Sequence, residues 1–322
     1  MAASCDCNVT LSNTGTPGCM PIQDVAKRLI LVPMVDASNV KNRIEIASIP
    51  TNTEIIALLN QADDKKRFYP LPEMENVTNE RGDPISEDFP SGKNVKIRDG
   101  VKTFAGQMLS LSGDYAKQIN GFGCSNIGAY IVDAQGNLIG DGSDPLYLAP
   151  LSLDQETWDV RTMDTTDTTI AKIQLGFQWS ISVKDSDVRM LLSTDFATDV
   201  DWLEYNGLLD LTGTLLTSPA QTVTTFSMKI TNGFGSLKNP GTASGLIYQN
   251  FIATNITTPG NTIAISAAAE SSTSAGTYAF TYAMTTPTPT EVFVISLDAS
   301  AATPVYGFDD SKIKSTQIIQ PA

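Results

Sequence analysis

Histidine is absent from this chain of 322 residues. With it goes the commonest general base of enzyme sites, so the usual Ser-His-Asp and Cys-His arrangements cannot be assembled. Charge is also scarce. Only 17% of the residues are charged, and 21 Lys and Arg stand against 35 Asp and Glu, a formal net charge of -14. Such a surface repels phosphates instead of releasing their counterions, which argues against sequence-specific DNA binding. No stretch approaches the ~18 apolar residues of a membrane-spanning helix. The start, Met1 to Asn13, lacks the basic opening and apolar run of a secretory signal. The expectation is a soluble protein made in a cytoplasm, with no membrane partner.

Cysteine is nearly missing as well. Cys5, Cys7 and Cys19 crowd the N-terminus and Cys124 stands apart in a Gly-rich segment. Together they could supply a four-thiolate zinc site, but the paired C-x-x-C knuckles of structural zinc modules are lacking. The preferred reading is a set of reduced thiols, with Cys124 in a core and the others on an arm. No G-x-S-x-G elbow and no G-x-x-x-x-G-K-[ST] loop occurs in context, which leaves hydrolase and NTPase chemistry without support.

What is present is strand sequence. With 41% hydrophobic residues the chain can bury sizeable cores, and its length suggests about two domains. Residues 1–20 have no periodicity and read as an extended N-terminal arm. Arg28 to Val35 is an apolar strand, with Pro33 placing it at an edge or a strand end. Thr51 and Glu54 form a capping box before Ile55, Ile56, Leu58 and Leu59, predicting a short helix that ends near Asp63. Residues 68–94 are rich in Pro, Glu, Asp and Asn, too long and polar for an ordinary connection, and read as a long protruding loop. Beyond it come a strand over Val101 to Leu111, a short helix opening near Ser112, and a hairpin of Ala129–Asp133 with Leu138–Gly140 turning at Gln135-Gly136-Asn137. The clearest alternation runs through Ile173, Leu175, Phe177, Trp179, Ile181 and Val183, which predicts one core face.

After about Asp210 the composition shifts to Ser, Thr, Ala and Gly. Short strands recur at 222–230, 245–253, 262–268, 277–284 and 291–297, between turns such as Asn239-Pro240-Gly241 and Thr258-Pro259-Gly260. Regular short strands over about a hundred residues fit an immunoglobulin-like β-sandwich, here without an inter-sheet disulfide.

The candidate sites are few. Asp133, Gln135 and Asn137 imitate the start of a calcium loop, but Gly136 comes too early and the twelfth position is Asp144 instead of Glu. A solvated hairpin turn is the better account, and Asp164 with Asp167, Asp185-Ser186-Asp187 and Asp309-Asp310 read as exposed acidic turns. Trp179 falls on the apolar face and reads as core, whereas Trp158 and Trp202 stay open between core and ligand stacking. Arg81-Gly82-Asp83 matches an adhesion triplet, but matches of that length are common by chance. A carboxylate glycosidase pair such as Asp159 with Glu204 needs no histidine, yet among so many acids some pair is inevitable. No catalytic, cofactor-binding or metal-binding residue is assigned, and the chain is read as no enzyme.

The strings Asn76–Arg81 (NVTNER), Arg98–Phe104 (RDGVKTF), Tyr130–Asp133 (YIVD) and Gly136–Gly140 (GNLIG) resemble tail-tube-like and neck-ring virion proteins of tailed bacteriophages. The similarity is closest to crAss-like and other Bacteroidetes-infecting phages, and it covers Met20 to Asp195. It implies a β-sandwich or barrel of tail-tube type over residues 21–206 with one or two short flanking helices. The immunoglobulin-like domain, 207–322, would decorate the outside. The function implied is a structural virion protein of tail or neck, made in the host cytoplasm. It would self-associate into a ring, contact adjacent rings and portal-side proteins, and let DNA through without specific binding. The alternative is a β-domain adhesin or glycan-binding protein.

Overall fold

The computed structural model describes residues 23–61, 63–109, 113–217, 225–235, 238–255, 257, 263–284, 292–297 and 318–319. The arm at 1–20, Cys5, Cys7, Cys19, the Thr258–Gly260 turn and Asp309-Asp310 lie outside these residues. The architecture is mainly β with short helices, 50% strand against 12% helix.

In chain order the elements are β1 (Ala26–Pro33), β2 (Ile44–Glu45), α1 (Asn52–Leu59), β3 (Tyr69–Pro70), β4 (Glu75–Arg81), β5 (Ile85–Asp88), β6 (Asn94–Arg98), β7 (Lys102–Leu109), α2 (Gly113–Gly121), β8 (Ile127–Asp133), β9 (Leu138–Asp141), β10 (Tyr147–Leu148), β11 (Leu151–Met163), β12 (Lys172–Trp179) and β13 (Val188–Leu191). There follow β14 (Leu211–Thr217), β15 (Thr225–Gly235), β16 (Pro240–Thr242), β17 (Phe251–Asn255), β18 (Ile263–Glu270), β19 (Thr277–Met284), β20 (Val292–Leu297) and β21 (Ile318–Ile319).

The first sheet runs β13-β9-β8-β11-β12-β7-β4, with β1 joined to β8 and β3. Its centre is apolar on both faces. Leu29 and Leu31 of β1 enter one core with Ala129 and Ile131 of β8, while Ile30 and Val32 enter another with Tyr130 and Val132. A strand buried on both sides needs a continuous apolar run, which RLILVP and IGAYIVD supply. One core is closed by β7, β12 and α2, the other by α1, Phe68, Leu191, Phe196 and Trp202. Strand β11 makes the corner. It pairs with β8 at Leu151 and Ser152, bulges between Asp154 and Asp159, and continues along β12, folding the sheet over its own core.

The capping box is present: Glu54 N–H donates to Thr51 Oγ1 (3.4 Å) and Thr51 N–H to Glu54 Oε2 (2.8 Å). The helix ends at Leu59, short of Asp63, because Asn60 caps it by donating Nδ2 to the Ile56 carbonyl (2.8 Å). Strand β12 also stops early, at Trp179. Ser180 and Ser182 bond to each other (2.9 Å) in a turn and leave Ile181 82% exposed, while Val183 beyond the turn packs against the first core again, so of the alternating residues Ile181 alone departs from the expected face. Residues 68–94 are not one loop: they hold β3, β4, β5 and the start of β6.

The second sheet runs β14-β15-β19-β18-β17-β20-β21 around a separate core that includes Phe226, Phe251, Tyr278 and Phe280. Residues 248–250 form a 3-10 turn, so the strand expected from 245 begins at Phe251. Tyr115 of α2 and Phe234 of β15 approach one another at 6.0 Å between the two cores.

Candidate assembly surface

Strands β4 and β7 are antiparallel neighbours, and at the Arg81/Lys102 end of the pair the chain leaves the sheet. It returns after the β5–β6 hairpin, whose register runs from Ile85↔Arg98 to Asp88↔Asn94. The tip is closed by Phe89 N–H to the Lys93 carbonyl (2.9 Å) and Gly92 N–H to the Phe89 carbonyl (2.8 Å), with Gly92 at φ +77°. Residues 81–99 are all exposed. They include Ile85, Phe89, Val95 and Ile97, the last 61% accessible. A lone two-stranded hairpin is marginal in water, and this one leaves 38–61% of the surface of four large apolar side chains accessible.

The base of this arm is fixed. Arg81 donates Nε and Nη2 to the two oxygens of Asp185 (both 3.0 Å) and Nη1 to the Gly100 carbonyl (2.8 Å), tying together the chain that enters the arm and the chain that leaves it. Gly82 N–H donates to the Val101 carbonyl (2.9 Å). Gly100 packs so closely on the Gly82 carbonyl that no side chain fits there. The Arg81 guanidinium holds the Asp185 carboxyl below the usual carboxylate range, and Asp185 in turn raises the Arg81 pKa. Asp185 sits in an exposed turn, as expected, and there its carboxylate also ties down the arm's base, while the guanidinium of the Arg81-Gly82-Asp83 triplet is committed to it.

At the opposite end of β7 the chain turns into α2, and two cavities open beside it. One, of about 260 Å³, is lined by Phe68, Leu71, Tyr115, Ile119 and Leu208, with Arg67 and Asp210 at its polar edge. The other, of about 340 Å³, is lined by Val35, Ile127, Asp36 and Lys65. Tyr69 and Phe122 border both cavities and meet edge to face at 5.0 Å. Burial pushes the Tyr115 phenol well up, so it stays neutral. Cys124, expected in a core, is exposed in the 3-10 turn that carries Phe122.

The remaining candidates separate. Asp133 sits in the expected hairpin turn but is fully buried, not solvated. It accepts from the backbone N–H of Asp24 (3.3 Å), Gln135 (2.9 Å) and Asn137 (2.9 Å) and from Asn137 Nδ2 (2.8 Å). With those positions filled by N–H donors, the calcium reading loses its first ligand. Asp144 instead pairs with Arg43 (3.0 Å). Asp159 is paired with Arg161 on β11, whereas Glu204 belongs to the turn opened by Asp201, so nothing joins the proposed glycosidase pair. Asp164 and Asp167 are exposed. Among the described residues no group of three or more His, Cys, Asp or Glu could hold a metal, and no helix is long and apolar enough to cross a membrane.

All three tryptophans are engaged in cores. Trp179 is 2% exposed and donates Nε1 to Asn79 Oδ1 (2.9 Å). Trp158 stacks on Phe177 at 5.5 Å, and Trp202 is 1% exposed against Phe196 and Tyr205.

The carboxylates set the pH response. Backbone N–H donors hold Asp36 (from Val40), Glu54 (from Thr51) and Glu270 (from Gly245 and Gly276) below their ordinary pKa values, as Arg81 does for Asp185. A depressed folded-state pKa contributes stability above the unfolded value and loses it as pH falls through the folded one. The urea midpoint is therefore expected to fall below about pH 4 and, with no histidine, to stay flat from about pH 5 to 7. A step near pH 6 in a midpoint-versus-pH series would contradict this.

No family model, no curated protein and no solved structure matches the chain.

Proposed function

We propose that the chain is a structural subunit that joins copies of itself into a ring of the kind found in the tail or neck of a tailed phage. The observation that carries the reading is the β5–β6 arm. Its residues 81–99 are exposed, its apolar side chains Ile85, Phe89, Val95 and Ile97 keep 38–61% of their surface accessible, and its base is held by Arg81 and Asp185. A projecting hairpin that exposes four large apolar side chains is costly to a lone protein and useful to one that docks. The phrase Arg98–Phe104, which resembles phage tail-tube-like and neck-ring proteins, spans the return from this arm into β7.

Charge supports the same reading. A net charge of -14 per copy, multiplied around a ring, gives a strongly negative assembly that does not hold passing DNA by counterion release. In this proposal the C-terminal strands close into an immunoglobulin-like sandwich on the outside, neighbouring rings and portal-side proteins stack above and below, and the virion is the site of action.

Negative-stain electron microscopy and mass photometry of the purified full chain, over a concentration series, test the proposal. Closed rings or stacked tubes with a central hole are expected. Single copies at every concentration would overturn self-association.

A further inference from the structure

Asparagine followed by glycine occurs three times, at Asn120-Gly121, Asn206-Gly207 and Asn232-Gly233. Such pairs are chemically weak points of a polypeptide, because glycine has no Cβ to keep its main-chain nitrogen away from the asparagine amide carbon. The fold sets the three apart. Asn120 lies in α2, where the helical backbone turns the Gly121 N–H toward the carbonyl one turn back. Asn232 lies in β15 opposite Leu211, and its side chain is held: Oδ1 accepts from Phe234 N–H (3.1 Å) and packs closely on Gly241. Asn206 and Gly207 lie outside every helix and strand, and both are exposed. Among the described residues, none bonds to the Asn206 amide or to the Gly207 N–H.

We infer that Asn206 is a modification site, at which the folded chain loses ammonia and rebuilds the junction between its two sheets. The Gly207 nitrogen gives up its proton and attacks Cγ of Asn206. The N–Cγ bond forms, the Cγ–Nδ2 bond breaks, and Nδ2 leaves as ammonia after taking up a proton. Water then opens the cyclic imide. Attack at Cγ gives aspartate, whereas attack at the main-chain carbonyl carbon gives isoaspartate, in which the chain runs through Cβ and Cγ. This chemistry needs no second copy. Its place in the fold gives the product a consequence. On one side Tyr205 is anchored, its carbonyl accepting from Arg28 Nη1 and its hydroxyl donating to Asn52 Oδ1 (2.7 Å). On the other, Gly207, Leu208 and Asp210 line the cavity of about 260 Å³, and β14 opens the second sheet at Leu211. Isoaspartate inserts an additional main-chain carbon between these anchors. Either product sets a new carboxylate near the exposed Glu204, in a chain whose net charge is already -14.

Peptide mass spectrometry of full-length protein, kept folded at mildly alkaline pH and sampled over weeks, tests the inference. The peptide with Asn206 should gain the mass difference between water and ammonia, mostly as isoaspartate that an isoaspartyl methyltransferase labels. Asn120 and Asn232 should lag about tenfold or more while the chain is folded, and the gap should close in urea, where all three pairs are released. The rate should rise with pH, since the attacking nitrogen must lose its proton. Asn206→Gln, whose longer side chain would have to close a larger ring, should remove the product and leave the other two pairs unchanged. No product at Asn206 in the folded chain, whatever happens in urea, would overturn the inference. Equal product at all three pairs in the folded chain would overturn it as well.

Discussion

Asp133→Ala is expected to lower the stability of the first sheet by about 3–5 kcal/mol, read as a shift of the urea midpoint of that sheet's own transition at constant slope. The carboxylate is fully buried and serves four donors, at 2.8–3.3 Å, from Asp24, Gln135 and Asn137. Asn137 is itself 3% exposed and uses its Oδ1 to accept from Ser193 N–H (2.9 Å). Asp133 and Asn137 together thus join the chain just before β1, the β8–β9 turn and the 3-10 turn after β13. Removing the Asp133 carboxylate leaves the two buried donors of Asn137 unpaired, together with the part-buried N–H groups of Asp24 and Gln135, and a buried donor without a partner costs more than its hydrogen bond contributed. Asp133→Asn should cost less, about 1–2 kcal/mol, because one oxygen still accepts while the new amide faces donors. Calcium or a chelator should leave both midpoints unmoved. A calcium-dependent midpoint would restore the ion-binding reading.

Signals carried by neighbouring residues were legible in the sequence. The capping box of Thr51 and Glu54, the Gln135-Gly136-Asn137 turn, the alternation through Trp179, and the strands at 277–284 and 292–297 depend on spacing within one segment. Where a partner distant in the chain decides, the sequence is silent. Strand β4 is polar along its length, ENVTNER, and is a strand because β7 pairs with it. Strand β11 escapes because its bulge between Asp154 and Asp159 breaks the alternation.

Ile181 and Cys124 went the other way, each expected in a core and each exposed. Alternation fixes which face a residue would take only while the strand continues, and a small thiol beside glycines has no strong preference of its own. The arm's polarity and length singled it out for projection. The cavities beside α2 had no such signal, since Tyr69, the Tyr115–Phe122 stretch and Leu208 converge from three separate segments.

Phe177→Ala and Phe280→Ala are each expected to cost about 3–5 kcal/mol, but in different cores. Phe177 is 3% exposed, stacks on Phe104 (5.1 Å) and Trp158 (5.5 Å), and meets the edge of Trp179 (5.0 Å). No rotamer of its neighbours can refill a ring-sized void between two parallel faces, so little of the loss is recovered by collapse. Phe280 is the counterpart in the second sheet, stacked on Phe226 (4.8 Å) and edge-on to Phe251 (4.9 Å). Among the described residues the clusters share no buried residue, and Tyr115, packed against the first, meets Phe234 of β15 at 6.0 Å. Two cores on separate sheets need not unfold as one, and a two-state midpoint then has no single meaning. Calorimetry should show two transitions, with Phe177→Ala lowering one and Phe280→Ala the other. A single transition moved equally by both substitutions would mean that the sheets unfold cooperatively, and that the Tyr115–Phe234 contact carries far more coupling than its one pair of rings suggests.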